Sequence, residues 1–363
     1  MLMHSVYIHI PFCSNICNYC DFAKLYYNKK YINKYLEALS NEIKSRYDGS
    51  IIKTLYIGGG TPSSLDYNEL KKLFSIIKQF NLSNDIEFTM EANVENLDIN
   101  KIKLMKENNV NRVSLGVQTF DIDNLKYLNR FHNKEDVFRV IKLLKENGIN
   151  NINIDLIYGI DEDIEKVKKD INLFLKLDSP HISCYSLIIE DHTILNNMKR
   201  KYINEDIEYE MYKYIEKTLE NNNYIHYEVS NYAKEGYYSK HNLVYWNNLD
   251  YIGFGLGSVS YINNNRITNT RSITKYLDNK YILSNIKETM EEKQDNELML
   301  GFRKLKGINL TTFKNKYNDY LENIYDIDKL LKDKYLIKEN NYLRINKDYI
   351  YISDEILLEI NRK

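Results

Sequence analysis

Two kinds of apolar pattern alternate along the first half of the chain. Short apolar runs at residues 5–10, 54–57, 86–91, 112–117, 151–157 and 181–187 have the length of buried strands. Between them run stripes at helical spacing. Ile32, Tyr35, Leu36, Leu39 and Ile43 mark a helix over Lys29–Arg46, and Leu70, Leu73, Phe74 and Ile77 mark the next. Further helices are expected at 99–108, 134–147 and 164–177. Asn133 can cap the 134–147 helix, Asp136 falls in its first turn and Gly148 follows its end. Strands that each lead into a helical segment predict the α/β class, with a parallel sheet and right-handed crossovers. Eight such units close a barrel, and six make a partial, open (β/α)6 one, whose chemistry belongs at the C-terminal strand ends. Within 151–157, Ile152, Ile154 and Leu156 fall on one face and Asn151, Asn153 and Asp155 on the other. The apolar face is expected against helices and the polar face inside the barrel.

Past Pro180 the pattern changes. A helix is predicted at 207–221, followed by H-Y-E-V-S-N-Y-A at 226–233 and then His241-Asn242-Leu243-Val244-Tyr245-Trp246, which holds the only tryptophan. From about Lys293 come helices at 298–305, 310–317 and 327–334 and a strand pair at 335–337 and 342–345. Helices followed by a small hairpin predict a C-terminal winged-helix-like α+β domain. No basic cluster dominates its recognition helix, so nucleic acid is not an expected partner. The chain is thus expected to divide into a barrel (1–190), a barrel extension (191–290) and the winged-helix-like domain (291–363).

Composition narrows the function classes. The 50 basic and 51 acidic residues leave a net charge of -1, with no global field to attract nucleic acid or an anionic membrane. No apolar run approaches the length that spans a bilayer, so membrane contact is expected to be peripheral at most. Four cysteines in 363 residues, grouped three plus one, point to a reducing compartment, and a cytoplasmic location is expected. The 33 tyrosines reflect compositional bias, so a tyrosine alone says little about a site.

The cysteines carry the chemistry. Cys13, Cys17 and Cys20, spaced C-x3-C-x2-C, lie on a loop just past a strand that Pro11 ends. A structural zinc ion wants four ligands, usually in two separated pairs, although Asp21 or His9 could complete a set. A disulfide sits poorly with the odd grouping, and a redox pair of Cys17 and Cys20 leaves Cys13 unexplained. An iron–sulfur cluster fits best, because three thiolates on a four-iron cube leave one iron open. Gly58-Gly59-Gly60-Thr61-Pro62 matches neither dinucleotide nor P-loop signatures, but lets a ligand approach bare backbone. Asp155 needs a partner inside a barrel, and a structural salt bridge is the alternative to a ligand contact.

With Tyr19 just before the last cysteine, the C-x3-C-x2-C spacing resembles the radical S-adenosylmethionine (SAM) superfamily. The fuller Y-I-H-I-P-F-C…C-x-Y-C-D-F is similar to its branch of oxygen-independent coproporphyrinogen oxidases and related heme chaperones. The resemblance implies a partial (β/α)6 radical SAM barrel, a 4Fe-4S cluster on Cys13, Cys17 and Cys20, and SAM as cofactor. It implies that Gly59, Gly60 and Thr61 meet the amino-acid end of SAM. Further SAM-site residues carried over are Tyr7, Tyr19, Glu91 (M-E-A-N), Gln118 (G-V-Q-T-F), Arg130 (L-N-R-F-H) and Asp155 (N-I-D-L-I-Y-G). In such proteins the reduced cluster cleaves SAM to a 5′-deoxyadenosyl radical.

The heme chaperone branch is implied by H-N-x-x-Y-W, with heme as a third bound group and His241 as its iron ligand (His226 being the next candidate). The oxidase pattern C-x3-C-x2-C-x-C is broken by Phe22. Two further departures are Tyr158-Gly159-Ile160-Asp161, where the family reads Y-G-L-P, and Val259, where it often has histidine. The implied function is a heme chaperone that delivers heme to apo-cytochromes or another apo-hemoprotein client. An electron donor such as flavodoxin or ferredoxin would serve the cluster. The alternative is oxygen-independent oxidation of coproporphyrinogen III to protoporphyrinogen IX, and a zinc-binding interaction module comes third.

Overall fold

A computed structural model describes residues 3–363. Its centre is six parallel strands lying side by side in chain order: β1 (Met3–Ile10), β2 (Ile51–Gly59), β3 (Asn81–Asn93), β4 (Arg112–Gln118), β5 (Asn151–Tyr158) and β6 (His181–Ser186). The crossovers carry α1 (Lys29–Arg46), α2 (Tyr67–Ile77), α3 (Ile99–Glu107), α4 (Lys134–Glu146) and α5 (Ile164–Leu177). Each apolar stripe buries against the sheet; Leu36, Leu39, Leu70 and Leu73 are fully enclosed in the main core together with Ile152 and Ile154. Asn133 closes a capping box with Asp136 at the start of α4. This is the α/β partial barrel that the pattern predicts.

The open edges of the barrel are extended rather than left bare. After α6 (Glu205–Asn221), β7 (Ile225–Glu228) and β8 (Asn231–Ala233) add to β6 in antiparallel fashion. Helix α7 (Lys240–Trp246) follows. β9 (Tyr251–Phe254) then returns to pair parallel with β1, and β10 (Val259–Ile262), β11 (Asn265–Asn269) and β12 (Ile282–Lys287) continue outward antiparallel. The sheet has twelve strands, in the order β12-β11-β10-β9-β1-β2-β3-β4-β5-β6-β8-β7. These flanking strands are short, most of them three to five residues, so apolar periodicity did not reveal them.

Other differences are of extent. The run at 54–57 is the middle of β2, which continues through Gly58 and Gly59. The run at 86–91 belongs to β3, whose polar first half pairs with the start of β2. The helix expected at 298–305 is α8 (Met290–Gly301), started by a capping box between Thr289 and Glu292. Beyond it, β13 (Ile308–Asn309), α9 (Leu310–Tyr317), α10 (Asp328–Lys332), β14 (Leu336–Glu339) and β15 (Tyr342–Ile345) build a small helix-and-sheet unit, its strands ordered β13-β15-β14. It has its own core, including Leu298, Phe302, Phe313, Tyr325 and Leu343.

One buried carboxylate fastens the extension to the barrel. Glu42 of α1 accepts hydrogen bonds from Gly255 N (2.9 Å), Tyr276 Oη (2.6 Å) and Asn269 Nδ2 (2.7 Å), and pairs with Arg46. Removing one partner of such a buried network typically costs about 3–5 kcal/mol. Glu42→Ala is therefore expected to lower stability by an amount of that order in a denaturant titration. Glu37→Ala, an exposed residue paired only with Lys72, should change it by about 0.5 kcal/mol or less.

Candidate functional site

The cysteine loop is pinned at both ends. Leu25 N donates to Pro11 O (2.7 Å) and Tyr27 N to Cys13 O (2.8 Å), which draws the loop closed beside the C-terminal end of β1. Its far side is held by Asn18 Nδ2 on Tyr127 O (2.6 Å) and Asn129 Nδ2 on Ile16 O (2.8 Å). The glycine run crosses beneath it, with Gly60 N on Ile10 O and Thr61 N on Phe12 O, both at 2.9 Å. Cys13, Cys17 and Cys20 are all free thiols; Cys13 is buried and the other two are half-buried. Burial pushes the Cys13 thiol up to about 12, opposed by the Thr61 hydroxyl at 3.7 Å from its sulfur. A thiolate there calls for a positive centre to hold it. His9, which could have joined a zinc set, has both ring nitrogens engaged: Nε2 donates to Ala23 O (2.6 Å) and Nδ1 lies 3.0 Å from the Tyr7 hydroxyl. Among the described residues, no three His, Cys, Asp or Glu side chains are grouped to hold a single ion.

The loop opens onto a cavity of about 370 Å³ at the C-terminal ends of the barrel strands. Cys13, Cys17, Cys20, Tyr19, Gly59, Gly60, Thr61, Glu91, Gln118, Arg130 and Asp155 all line it. Gly59 has φ +120, a conformation that disfavours side chains, and its amide donates to Glu91 Oε2 (3.1 Å). Glu91 also accepts from the Tyr56 hydroxyl (2.8 Å). Burial pushes its carboxyl up to about 7; Tyr56 and Gly59 oppose that shift and the charge of Asp155 adds to it. Burial likewise raises Asp155, which accepts from Asn153 Nδ2 (2.7 Å) and Ser114 Oγ (3.2 Å). Its hydrogen-bond partners are neutral groups, so the salt-bridge alternative does not describe this carboxylate.

Gln118 ends β4 at φ +70, where the register with β5 shifts, and the side chain folds back over Gly116. A non-glycine residue in that region is strained, a feature that gathers at ligand sites. Arg130 is buried, donating to Asn93 Oδ1 (2.8 Å) and Gly116 O (2.6 Å), with Nη1 3.8 Å from Cys17 Sγ. Asn93 in turn donates to Thr61 Oγ1 (3.2 Å), joining the glycine run to the arginine. Sequence reasoning missed Asn93, and it missed Arg112. Arg112 is fully buried, lines the cavity, and has no hydrogen-bond partner at Nε or Nη1 among the described residues. The available signal was a guanidinium opening an otherwise apolar strand.

Two expected site residues lie elsewhere. Tyr7 is half-buried and does not line the cavity; it stacks on Tyr56 with ring centroids 6.1 Å apart. His241 sits in α7, whose first amides donate to Glu87 (3.0 and 2.9 Å). Its Nδ1 meets Thr54 Oγ1 and its Nε2 meets Tyr245 Oη, both at 2.8 Å, and Tyr56 stacks on the ring. Burial, with Arg112 adding, pushes the imidazole down to about 3, so it stays neutral. Both nitrogens are thus occupied inside the protein, a place different from the iron ligand that the motif implied. From the same helix it is Asn242 that reaches the cavity. His226 is also enclosed, stacked on Tyr232 at 4.1 Å.

Comparison with known proteins bears on this geometry. Residues 7–174 match the Radical SAM superfamily. The chain is 40% identical to the heme chaperone HemW of Lactococcus lactis over 353 residues, 94% of this chain and 93% of that protein. It is 37% identical to HemW of Bacillus subtilis over 368 residues (97% and 96%) and 31% identical to HemW of Escherichia coli over 357 residues (94% of each). Among solved structures, coproporphyrinogen III oxidase (HemN) from Escherichia coli, a radical SAM enzyme, aligns with a TM-score of 0.85 over 98% of this chain and 89% of that one. At 19% identity that likeness is one of fold.

Proposed function

The chain belongs to the family of the heme chaperone HemW within the radical SAM superfamily, and from that premise we propose that it carries heme to an apo-hemoprotein client, holding a 4Fe-4S cluster and SAM in the barrel cavity. The observation that supports the cluster and SAM assignment is the convergence of three thiols, a bare glycine backbone and two deep carboxylates on one cavity. A cluster with one open iron supplies the electron and the anchor for the amino-acid end of SAM. Around it, this chain's residues do the positioning. Gly59 and Gly60 give close access to backbone, and Arg130 places a cation beside the Cys17 sulfur. Glu91 and Asp155, both half-buried, offer acceptors for the hydroxyl and amino groups of a bound nucleoside and amino acid.

Oxidation of coproporphyrinogen III, the activity named for an oxidase that shares this fold, is the second reading. Sequence identity favours the chaperone, as does Phe22, exposed where the oxidase pattern has a fourth cysteine. A flavodoxin- or ferredoxin-class donor would reduce the cluster, and apo-cytochromes are the proposed clients. No helix is long and apolar enough to cross a membrane among the described residues. The proposed setting is the cytoplasm, with peripheral contact where a client is membrane-bound.

The SAM assignment has a direct test. In cluster-loaded protein, Asp155→Ala and Gln118→Ala are each expected to weaken SAM at least about tenfold by calorimetry, or ~1.4 kcal/mol. Iron and sulfide content should stay the same. Unchanged affinity in both variants would remove these strand ends from the SAM site.

A further inference from the structure

We infer that heme is carried outside the barrel, on the rim of its mouth, with His192 as the axial ligand to iron; this rests on the chaperone reading and names the site for its cargo. Of the seven histidines, six are buried. His192 alone is exposed. A porphyrin is a wide, flat disc, and an imidazole reaches its iron only where one face of the disc can come down over the ring nitrogen. Enclosed rings such as His241 and His226 cannot offer that.

His192 follows the end of β6, two residues beyond Glu190 and four beyond Ile188, both of which line the cavity. Its backbone is left-handed, at φ +66. The turn is closed by the Thr193 hydroxyl on Glu190 O (2.7 Å). It is also tied to the cysteine loop, because Leu195 N donates to Asn18 O (3.0 Å). Leu195 itself is fully buried in a small separate apolar cluster with Leu128, Ile157 and Leu187, against which Tyr19 packs. The segment that carries the exposed imidazole is thereby tied to the cysteine loop.

The surroundings suit an apolar disc bearing carboxylates. Phe22 is 62% exposed and Ile188 59%, and both line the mouth. Along the same segment Met198 is 57% and Tyr202 63% exposed, with the Tyr202 hydroxyl 3.4 Å from the backbone of Ile189. Large apolar side chains left open together usually mark a surface that something covers. Heme is the occupant that also uses an exposed imidazole, and Lys199 and Lys201, both exposed beside Met198, are suited to its propionates.

Titrating hemin into full-length, cluster-loaded protein and following the Soret band tests this. His192→Gly keeps the left-handed backbone available. It is expected to shift the band and to weaken heme at least tenfold, with the iron–sulfur absorption unchanged. Added imidazole should restore the wild-type band in that variant. His241→Gln should leave the band position where it is in wild type. Wild-type spectrum and affinity in His192→Gly would overturn the site and leave the chaperone reading standing. Failure of the wild-type protein to bind heme would overturn both.

Discussion

Cys17→Ser is expected to leave the protein without an iron–sulfur chromophore, and Cys13→Ser and Cys20→Ser to do the same, whereas Cys184→Ser assembles a full cluster. Three thiolates are the smallest set that holds a four-iron cube with one iron open, so losing one exposes a second iron to solvent and reductant. The loop has no spare sulfur. Cys184 lies in β6, enclosed in the main core, and burial raises its thiol far above the usual range. It does not line the cavity. Iron and sulfide counting on anaerobically reconstituted protein decides the matter, with SAM binding lost in parallel. A full cluster in Cys17→Ser would mean that another residue completes the set. Asp21, which lines the same cavity, would be the first to examine.

Gly60→Ala is expected to have nearly as large an effect without touching a ligand. A Cβ there would stand 2.8 Å from Cys13 Sγ and equally close to the carbonyl carbon and oxygen of Pro11. Neither neighbour yields cheaply. Pro11 is backbone at the end of β1, and the flanking hydrogen bonds of Gly60 and Thr61 tie the two segments together. Relief would displace the cysteine loop from the glycine run, moving the first cluster ligand. Cluster yield should fall, and SAM affinity should drop at least about tenfold, ~1.4 kcal/mol. Gly236→Ala provides the contrast. Its φ is +85 and nothing lies within 4 Å of an added Cβ, so it pays only the backbone term of about 1 kcal/mol and should bind SAM normally. Equal behaviour of the two variants would mean that close packing at Gly60 does not position the loop.

What could be read from the sequence was what the chain encodes locally. Each β/α unit of the barrel is an apolar run followed by a stripe, and the alternation in β5 correctly separated core-facing Ile152 and Ile154 from cavity-lining Asn153 and Asp155. The cysteine spacing is likewise a property of one short stretch. Long-range pairing was not legible. β9 joins β1 from far along the chain, and nothing in Tyr251–Phe254 announces that partner. The start of β3 was missed because its first residues, Asn81 through Asp85, are mostly polar and mostly exposed. α8 was placed late because its apolar residues gather near its end, while the true start lay in the Thr289 and Glu292 capping box. His241 is the most instructive case. The motif named residue types suited to a porphyrin, but the insertion of α7 against Thr54 and Glu87 is a tertiary event that turns the imidazole inward. Asn93 joins the site for the converse reason, since its partners Thr61 and Arg130 come from other segments of the chain.

Heme transfer set against porphyrinogen oxidation separates the two functions in one experiment. Cluster-loaded protein carrying heme is incubated anaerobically with SAM, a one-electron reductant, an apo-cytochrome and coproporphyrinogen III. A chaperone is expected to pass its heme on, seen as growth of the cytochrome's own Soret band, and to form no protoporphyrinogen IX. Sustained protoporphyrinogen IX formation with no heme reaching the cytochrome would contradict the chaperone function and establish the oxidase in its place.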